Sequence, residues 1–218
     1  MEKLTRFYIE EKDRLEIELK AVKNKLANLS ILRLIVFLGT SFGIYFLFDD
    51  LITVAIITTI GLIVFLVLLM KYLRSKEEKK LLNSKIEINK IEIKVLDGDF
   101  SFLPTGNEFS DSNHSFSHDI DLFGTHSFFQ YINRASTQEG AEKLANTITE
   151  NNISAIDKKQ EAIQELSKKV QWRQHFSALA SLVKTNHSSK IIVRFIQDYK
   201  AVFSKTVSIL PSVFSIAS

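Results

Sequence analysis

The chain has 218 residues with a formal net charge of +3; 45% of its residues are hydrophobic and 24% are charged. The absence of cysteine excludes a disulfide framework, a thiolate metal site and a cysteine nucleophile, and the charge is too small to indicate nucleic-acid binding by itself. Seven Gly and two Pro favour long helices over a turn-rich β fold, so we expect an all-α protein.

Residues 1–30 are rich in Glu and Lys and predict an amphipathic helix. Its apolar residues alternate spacings of four and three, which is the heptad pattern of a helix that packs along another helix. The stripe consists of Leu15, Leu19, Val22, Leu26 and Leu29.

Residues 31–48 and 51–70 are two apolar segments, each long enough to cross a hydrocarbon core of about 30 Å. Asp49 and Asp50 separate them, and two carboxylates at the bilayer centre would cost several kcal/mol or more. We therefore predict a transmembrane hairpin at residues 31–70 with its turn in water and the lipid bilayer as its partner. One long buried helix of a soluble protein and a shallow hairpin within one leaflet are the alternatives.

Basic residues flank both apolar segments and predict their orientation. Because Lys and Arg concentrate on the cytoplasmic side, both ends of the hairpin should be cytoplasmic in an inner (cytoplasmic) membrane. Within the hairpin, Gly39 and Gly61 should lie at similar depth and allow the two backbones to approach closely; the alternative is that Gly is simply common in membrane helices. The flanking residues are Lys20, Lys23, Lys25, Arg33, Lys71, Arg74, Lys76, Lys79 and Lys80.

Residues 71–96 repeat the heptad spacing and predict a second cytoplasmic helix. Two antiparallel spans would place this helix beside residues 1–30, so we expect an antiparallel coiled coil that continues the hairpin. Each stripe could instead pack on the following domain or on another subunit. The second stripe consists of Leu82, Ile86, Asn89, Ile93 and Leu96.

Residues 97–116 contain Gly98, Pro104 and Gly106 among scattered Ser, Asp and Asn, which is typical of a linker.

Residues 117–205 then predict a bundle of four or five helices. Ser136 and Glu139 have the spacing of a capping box, although either Thr137 or Ser136 can cap the helix that follows. Ser154 with Asp157 marks another helix start. Apolar faces follow at Ile156, Ile163, Leu166 and Val170, at Trp172, Phe176, Leu179 and Leu182, and at Ile191, Ile192, Phe195 and Ile196.

Residues 206–218 are apolar but too short to span a bilayer. We interpret them as the start of a further membrane segment in a chain truncated at Ser218.

Residues 114–126 contain several His and Asp side chains that could in principle bind a metal ion. Their spacing, however, matches no established ligand pattern. A solvent-exposed polar segment is therefore the better interpretation. The region contains no Gly-x-Ser-x-Gly elbow, and no glycine of the chain introduces a phosphate-binding Gly-Lys-Ser/Thr. We therefore assign no catalytic, cofactor-binding or metal-binding residue. The residues considered as ligands are His114, His118, Asp119, Asp121 and His126.

One pattern of residues extends over 117–176, roughly a third of the chain. It consists of Asp121, Leu122, Ser127, Phe128, Asn133, Thr137, Gly140 and Leu144, followed by Ile156, Gln160, Glu161, Ala162, Ile163, Glu165 and Leu166. In order and spacing, these residues resemble the start of the core domain of the MutS family. Lys159 stands where the family usually has Arg, and neither the amino-terminal Phe-x-Glu mismatch reader nor the ATPase is present in these residues.

The resemblance implies a helical core domain that connects DNA-clamping parts to a C-terminal ATPase of the ABC type. ATP and Mg would then belong to that further part, DNA would be a partner, and the protein would form a homodimer. This chain would supply the membrane anchor and the core segment. A non-enzymatic membrane scaffold is the alternative function, based on the heptads and the hairpin.

Overall fold

The computed structural model describes residues 2–150, 154 and 156–183 of the chain. The secondary structure in these ranges is helical and includes no strand, which confirms the predicted all-α class. The helices are α1 (Glu2–Phe46), α2 (Leu51–Leu96), α3 (Phe128–Ile132), α4 (Gln138–Thr149), α5 (Ile156–Ser167) and α6 (Val170–Leu182), with a 3₁₀ turn at Asn107–Phe109.

Helices α1 and α2 form a long hairpin in which each predicted apolar segment and its polar neighbour are one continuous helix. No proline occurs before Pro104, so nothing in the sequence breaks either helix. The turn falls at Asp49–Asp50 as predicted. Asp50 caps α2 because its carboxylate accepts the amide of Ile52 at 3.1 Å and the hydroxyl of Thr53.

The polar halves of α1 and α2 pack through the predicted leucine stripes. Leu15, Leu19 and Val22 of α1 are buried against Leu82 and Ile86 of α2, and Leu26 adds a partly buried contact. Burying such side chains stabilises the pair by about 1.5–3 kcal/mol each. The two helices therefore stay in contact beyond the apolar segments.

The apolar halves of α1 and α2 are each long and apolar enough to cross a membrane, judged by length and composition. The protein itself buries 0% of the most apolar 18-residue stretch of α1 and 6% of that of α2. The close approach of the two helices occurs where Gly61 faces the Thr40 side chain, and a Cβ on Gly61 would clash with it. Gly39 faces open space, so the expectation that it shares this contact is wrong.

Residues 97–127 form an irregular segment that packs around Phe129, and the first helix after it begins at Phe128 rather than near Ser117. Leu103 and Leu122 are buried there, and the Phe123 and Phe129 rings lie 5.3 Å apart. Gly106 has φ +71°, and a Cβ at this position would lie 2.5 Å from the Phe129 ring. Glycine is required here by both backbone angle and space.

Helices α3 and α4 begin at side-chain caps. The Ser127 hydroxyl accepts the amide of Gln130 at 3.1 Å, and the Thr137 hydroxyl accepts the amide of Gly140 at 3.1 Å. Thr137 rather than Ser136 therefore caps α4. A Cβ on Gly140 would approach this hydroxyl to 3.1 Å, which is why a small residue suits the position.

Helix α6 packs on α2 and touches α5. Its predicted apolar face, however, is open within the described ranges: Trp172 and Phe176 stack at 5.5 Å and remain 56% and 58% exposed. On α5, Ile163 is exposed as well. The helix predicted at residues 191–196 and the membrane segment predicted at 206–218 lie outside the described residues.

Candidate functional site

A polar cleft lies where the start of α1, the end of α2, the turn after α3 and the start of α6 come together. Its volume is about 240 Å³. The cleft is far from the helical turn at Asp49–Asp50, because Tyr8 lies near the start of α1 and Glu92 near the end of α2. Its main polar lining consists of Tyr8, Glu92, Asn133, Arg134, Ser136, Arg173, Gln174 and Ser177.

Arg134 ties the turn after α3 to α2. Its Nε donates to Glu92 Oε1 at 2.8 Å and its Nη2 to Glu92 Oε2 at 3.5 Å, and both side chains are partly buried. Its Nη1 donates to the carbonyl oxygens of Tyr131 and Asn133, at 2.8 and 3.0 Å. The guanidinium thus caps the C-terminal end of α3 and compensates the negative charge of Glu92 in the cleft.

Tyr8 brings α1 into the same cleft. Burial raises the pKa of its phenol, and the Glu92 carboxylate raises the pKa further, while Arg173 and Arg134 act in the opposite direction. The phenol is therefore neutral across the physiological range. Arg173 also lines the cleft and forms no ion pair with any residue in the described part of the chain.

Helix α6 is held on α2 by buried polar contacts. Gln174 Nε2 donates to Asn89 Oδ1 at 3.0 Å, and Asn89 Nδ2 donates to the carbonyl of Lys85 at 2.8 Å. One turn of α2 further back, the hydroxyls of Ser84 and Ser181 lie 2.6 Å apart. Because Asn89 and Gln174 are buried, each depends on the other for its hydrogen bond.

The histidine-rich stretch contributes structure rather than a ligand set. His114 Nδ1 accepts the amide of Ser117 at 3.2 Å, and its Nε2 lies 3.3 Å from the carbonyl of Thr149. His126 has φ +61° and packs its ring edge against Phe100. Among the described residues, no three His, Asp or Glu side chains gather as metal ligands would.

The Gln130 side chain connects the histidine-rich stretch to residues 101–103. Its Oε1 accepts the amide of His126 at 2.7 Å, and its Nε2 donates to the carbonyls of Leu103 and Ser101 at 2.6 and 3.1 Å. The side chain is fully buried, so these bonds satisfy it and fasten residues 101–103 to α3.

Sequence reasoning did not single out Tyr8, Glu92, Arg134, Arg173 or Gln174. One signal was available: Asn89 interrupts the apolar stripe of residues 82–96, and a polar residue at a core position calls for a polar partner opposite it. The structure supplies this partner from α6 rather than from α1.

Comparison of the chain with family models, with characterised proteins and with solved structures finds no match.

Proposed function

We propose that this chain is the anchor and core segment of a membrane-bound, MutS-related protein. In this proposal, the apolar half of the hairpin crosses the bilayer twice, and its polar half carries the helical domain that contains the polar cleft. The observation that carries the membrane anchor is the exposure of the apolar half. The MutS relationship rests on the resemblance of residues 117–176.

Exposure favours a membrane over the alternative of a soluble core helix. Helices inside a soluble core are covered by their neighbours, whereas Ile35, Phe37 and Ile56 are all more than half exposed. A soluble monomer rarely exposes a contiguous apolar patch of more than several hundred Å². Lipid satisfies this surface without any further protein contact.

The orientation of the spans follows from the basic flanks. Both ends of the hairpin are cytoplasmic in this proposal, and the Asp49–Asp50 turn is on the opposite side of an inner membrane. The polar halves of α1 and α2 then extend into the cytoplasm as an antiparallel coiled coil. The burial of Leu15 and Leu19 against Ile86 supports this pairing.

The proposed relation to MutS core domains is supported by where the pattern residues fall. Ser127 and Thr137 cap consecutive helices, Asn133 Oδ1 accepts the amide of Ala135 at 2.9 Å, and Leu122 is buried. Caps, turns and core contacts are the roles that make a residue type hard to replace. On this proposal, DNA is a partner, the protein is a homodimer, and ATP with Mg is bound by a further part.

Topology is the decisive test, and the chain suits cysteine labelling because it has no cysteine of its own. We expect Asp49→Cys to react with a membrane-impermeant maleimide added to intact cells. Glu10→Cys and Ser112→Cys should react only after permeabilisation; all three positions are exposed. Equal labelling of the three in intact cells would overturn the two-span arrangement.

A non-enzymatic membrane scaffold is the second candidate, favoured by the exposed Trp172–Phe176 stack on α6. Exposed aromatic pairs of this kind are common in protein-binding surfaces. Salt-dependent binding to duplex DNA separates the two functions. Binding no stronger than that of an unrelated protein of equal charge would remove the DNA proposal and leave the scaffold.

A further inference from the structure

Seven basic side chains lie on α1 and α2 along the roughly 20 Å of the hairpin that adjoin its apolar half, and we call them the basic collar. No acidic residue occurs from 19 to 48 or from 51 to 76, so the collar has no carboxylate within its own sequence. All but Arg33 are exposed. The basic collar consists of Lys20, Lys23, Lys25 and Arg33 on α1 and Lys71, Arg74 and Lys76 on α2.

The collar charges are also unpaired in three dimensions. None of the seven forms an ion pair with a carboxylate in residues 2–150, 154 and 156–183. Elsewhere on the same helices the pattern differs: Arg6 pairs with Glu10 at 2.9 Å and Lys90 with Glu87 at 2.8 Å. A group of cations without carboxylate partners attracts an anionic partner.

Arg33 is the member of the collar that connects the two helices. Its guanidinium lies over the Tyr72 ring, 4.1 Å from the centroid, and so crosses from α1 to α2. Its Nε is buried without a hydrogen-bond partner, and its Nη2 reaches only Ser30 Oγ, at 3.5 Å. The guanidinium is held in place over the ring, and its terminal Nη1 and Nη2 groups, which make only that one long bond within the described residues, can donate to a phosphate oxygen.

The position of the collar identifies the ligand. Exposed apolar side chains adjoin it on both helices, including Ile31 and Leu34 on α1 and Met70 and Leu73 on α2. A phospholipid matches both surfaces, because its acyl chains cover the apolar side chains while its phosphate meets the cations. Nucleic acid would meet the cations but leave the neighbouring apolar surface uncovered.

We propose that the basic collar binds the headgroup phosphates of anionic phospholipids, with Arg33 as the central contact and Tyr72 holding it in position. Lys71 and Arg74 flank Tyr72 and supply further charge. This proposal rests on the proposed membrane insertion of the hairpin. Its consequence is a preference for anionic over zwitterionic lipid at one face of the membrane.

The test uses the full chain in a neutral detergent, titrated with short-chain phosphatidylglycerol and with short-chain phosphatidylcholine. We expect Arg33→Gln to weaken phosphatidylglycerol binding about fivefold, as removal of one charge near an anionic surface should. Tyr72→Leu should weaken it similarly, whereas Tyr72→Phe keeps the ring and should not. Lys143→Gln removes an equal charge from exposed α4 and is the matched control. An unchanged lipid preference in Arg33→Gln overturns the proposal.

Two further experiments are needed. One distinguishes a lipid headgroup from other phosphate compounds, and the other distinguishes failure of this inference from failure of the membrane anchor. The lipid assignment is overturned if glycerol 3-phosphate binds as tightly as the lipid. It is also overturned if duplex DNA displaces the lipid and binds more weakly to Arg33→Gln. Alkaline extraction of membranes from expressing cells tests insertion independently. A chain that resists extraction but shows no preference for phosphatidylglycerol refutes this inference alone, whereas a chain that is extracted refutes the membrane anchor as well.

Discussion

Asn89 of α2 and Gln174 of α6 are joined by one buried hydrogen bond of 3.0 Å between Oδ1 and Nε2. The Asn89 amide group donates to the Lys85 carbonyl of its own helix, so its oxygen faces Gln174. A shift of α6 by one turn along α2 would leave the side-chain oxygen of Asn89 and the side-chain nitrogen of Gln174 buried without each other. The pair therefore fixes the register of α6 on the hairpin more sharply than apolar contacts would.

Breaking this pair should be costly. Asn89→Leu leaves the Gln174 amide buried without its acceptor, and we expect the free energy of unfolding to fall by about 1–3 kcal/mol. Replacing both residues with Leu should cost less than the sum of the single changes, because no polar group is then left unpaired. Denaturant unfolding in detergent, followed by circular dichroism, measures all three. Additive losses would contradict the coupling.

Gly106 and Gly98 form a matched pair for testing the small core around Phe129. Both have positive φ, but a Cβ would meet the Phe129 ring only at position 106 and nothing within 4 Å at position 98. Gly98→Ala should cost about 1–2 kcal/mol for backbone strain. Gly106→Ala should cost a further 1–3 kcal/mol or so for overpacking. Equal losses of unfolding free energy in the two variants would argue against the Phe129 contact.

The apolar halves of α1 and α2 should respond unequally to added methyl groups. Gly61→Ala places a Cβ against the Thr40 side chain, whereas Gly39→Ala places one in open space. We expect Gly61→Ala to lower the thermal stability of the chain in micelles, at a cost of about 1–3 kcal/mol, and Gly39→Ala to have little effect. Thr40→Ala removes two of the clashing atoms and should restore most of the loss. A larger effect at Gly39 would show that the helices face each other differently.

Thr137 rather than Ser136 should control the start of α4. Thr137→Ala removes the acceptor for the Gly140 amide, and we expect a loss of about 1 kcal/mol. Thr137→Ser keeps an oxygen in place and should be close to neutral, as should Ser136→Ala. Hydrogen exchange of the Gly140 amide reports the cap directly. Faster exchange in Ser136→Ala than in Thr137→Ala would reverse the assignment.

Tyr8 should make stability fall at alkaline pH. Its folded-state pKa is raised, so the folded protein holds the phenolic proton more tightly than the unfolded chain does. Stability is then fully present below the unfolded pKa, about 10, and decreases as pH rises through the folded pKa. Lysines titrate in the same range, so the measurement is the difference between the wild type and Tyr8→Phe. The same slope in both proteins would remove Tyr8 as the cause.

The hairpin was predictable because its signals are local. The aspartate pair at 49–50 interrupts an otherwise continuous apolar sequence, and Asp50 also caps the helix that follows it. Heptad spacing likewise predicted Leu15 and Ile86 as packing residues. These features depend on neighbours within a few turns of the same helix, which periodicity detects.

The cleft was not predictable, because its residues are brought together from distant parts of the chain. Glu92 lies outside the predicted apolar stripe of α2, and Arg134 lies in the turn after α3, 42 residues further along the chain. The path of the residues between them brings the two side chains together. Gln130 illustrates the same limit. It is a polar residue in a five-residue helix, and its burial depends on the carbonyls of Ser101 and Leu103. Hydrophobic periodicity carries no information about such contacts.

Because α1 and α2 are unbroken, motion at one end of the hairpin is transmitted to the other. About 38 Å of helix separates Arg33 from Tyr8 at 1.5 Å per residue. If the apolar halves cross a bilayer, as proposed, and tilt by roughly 10° to match a thinner one, the end bearing Tyr8 moves sideways by about 7 Å. Bilayer thickness would thereby set the lateral position of Arg134 and α6 above the membrane surface, a mechanical coupling that a flexible joint at the bilayer edge would abolish.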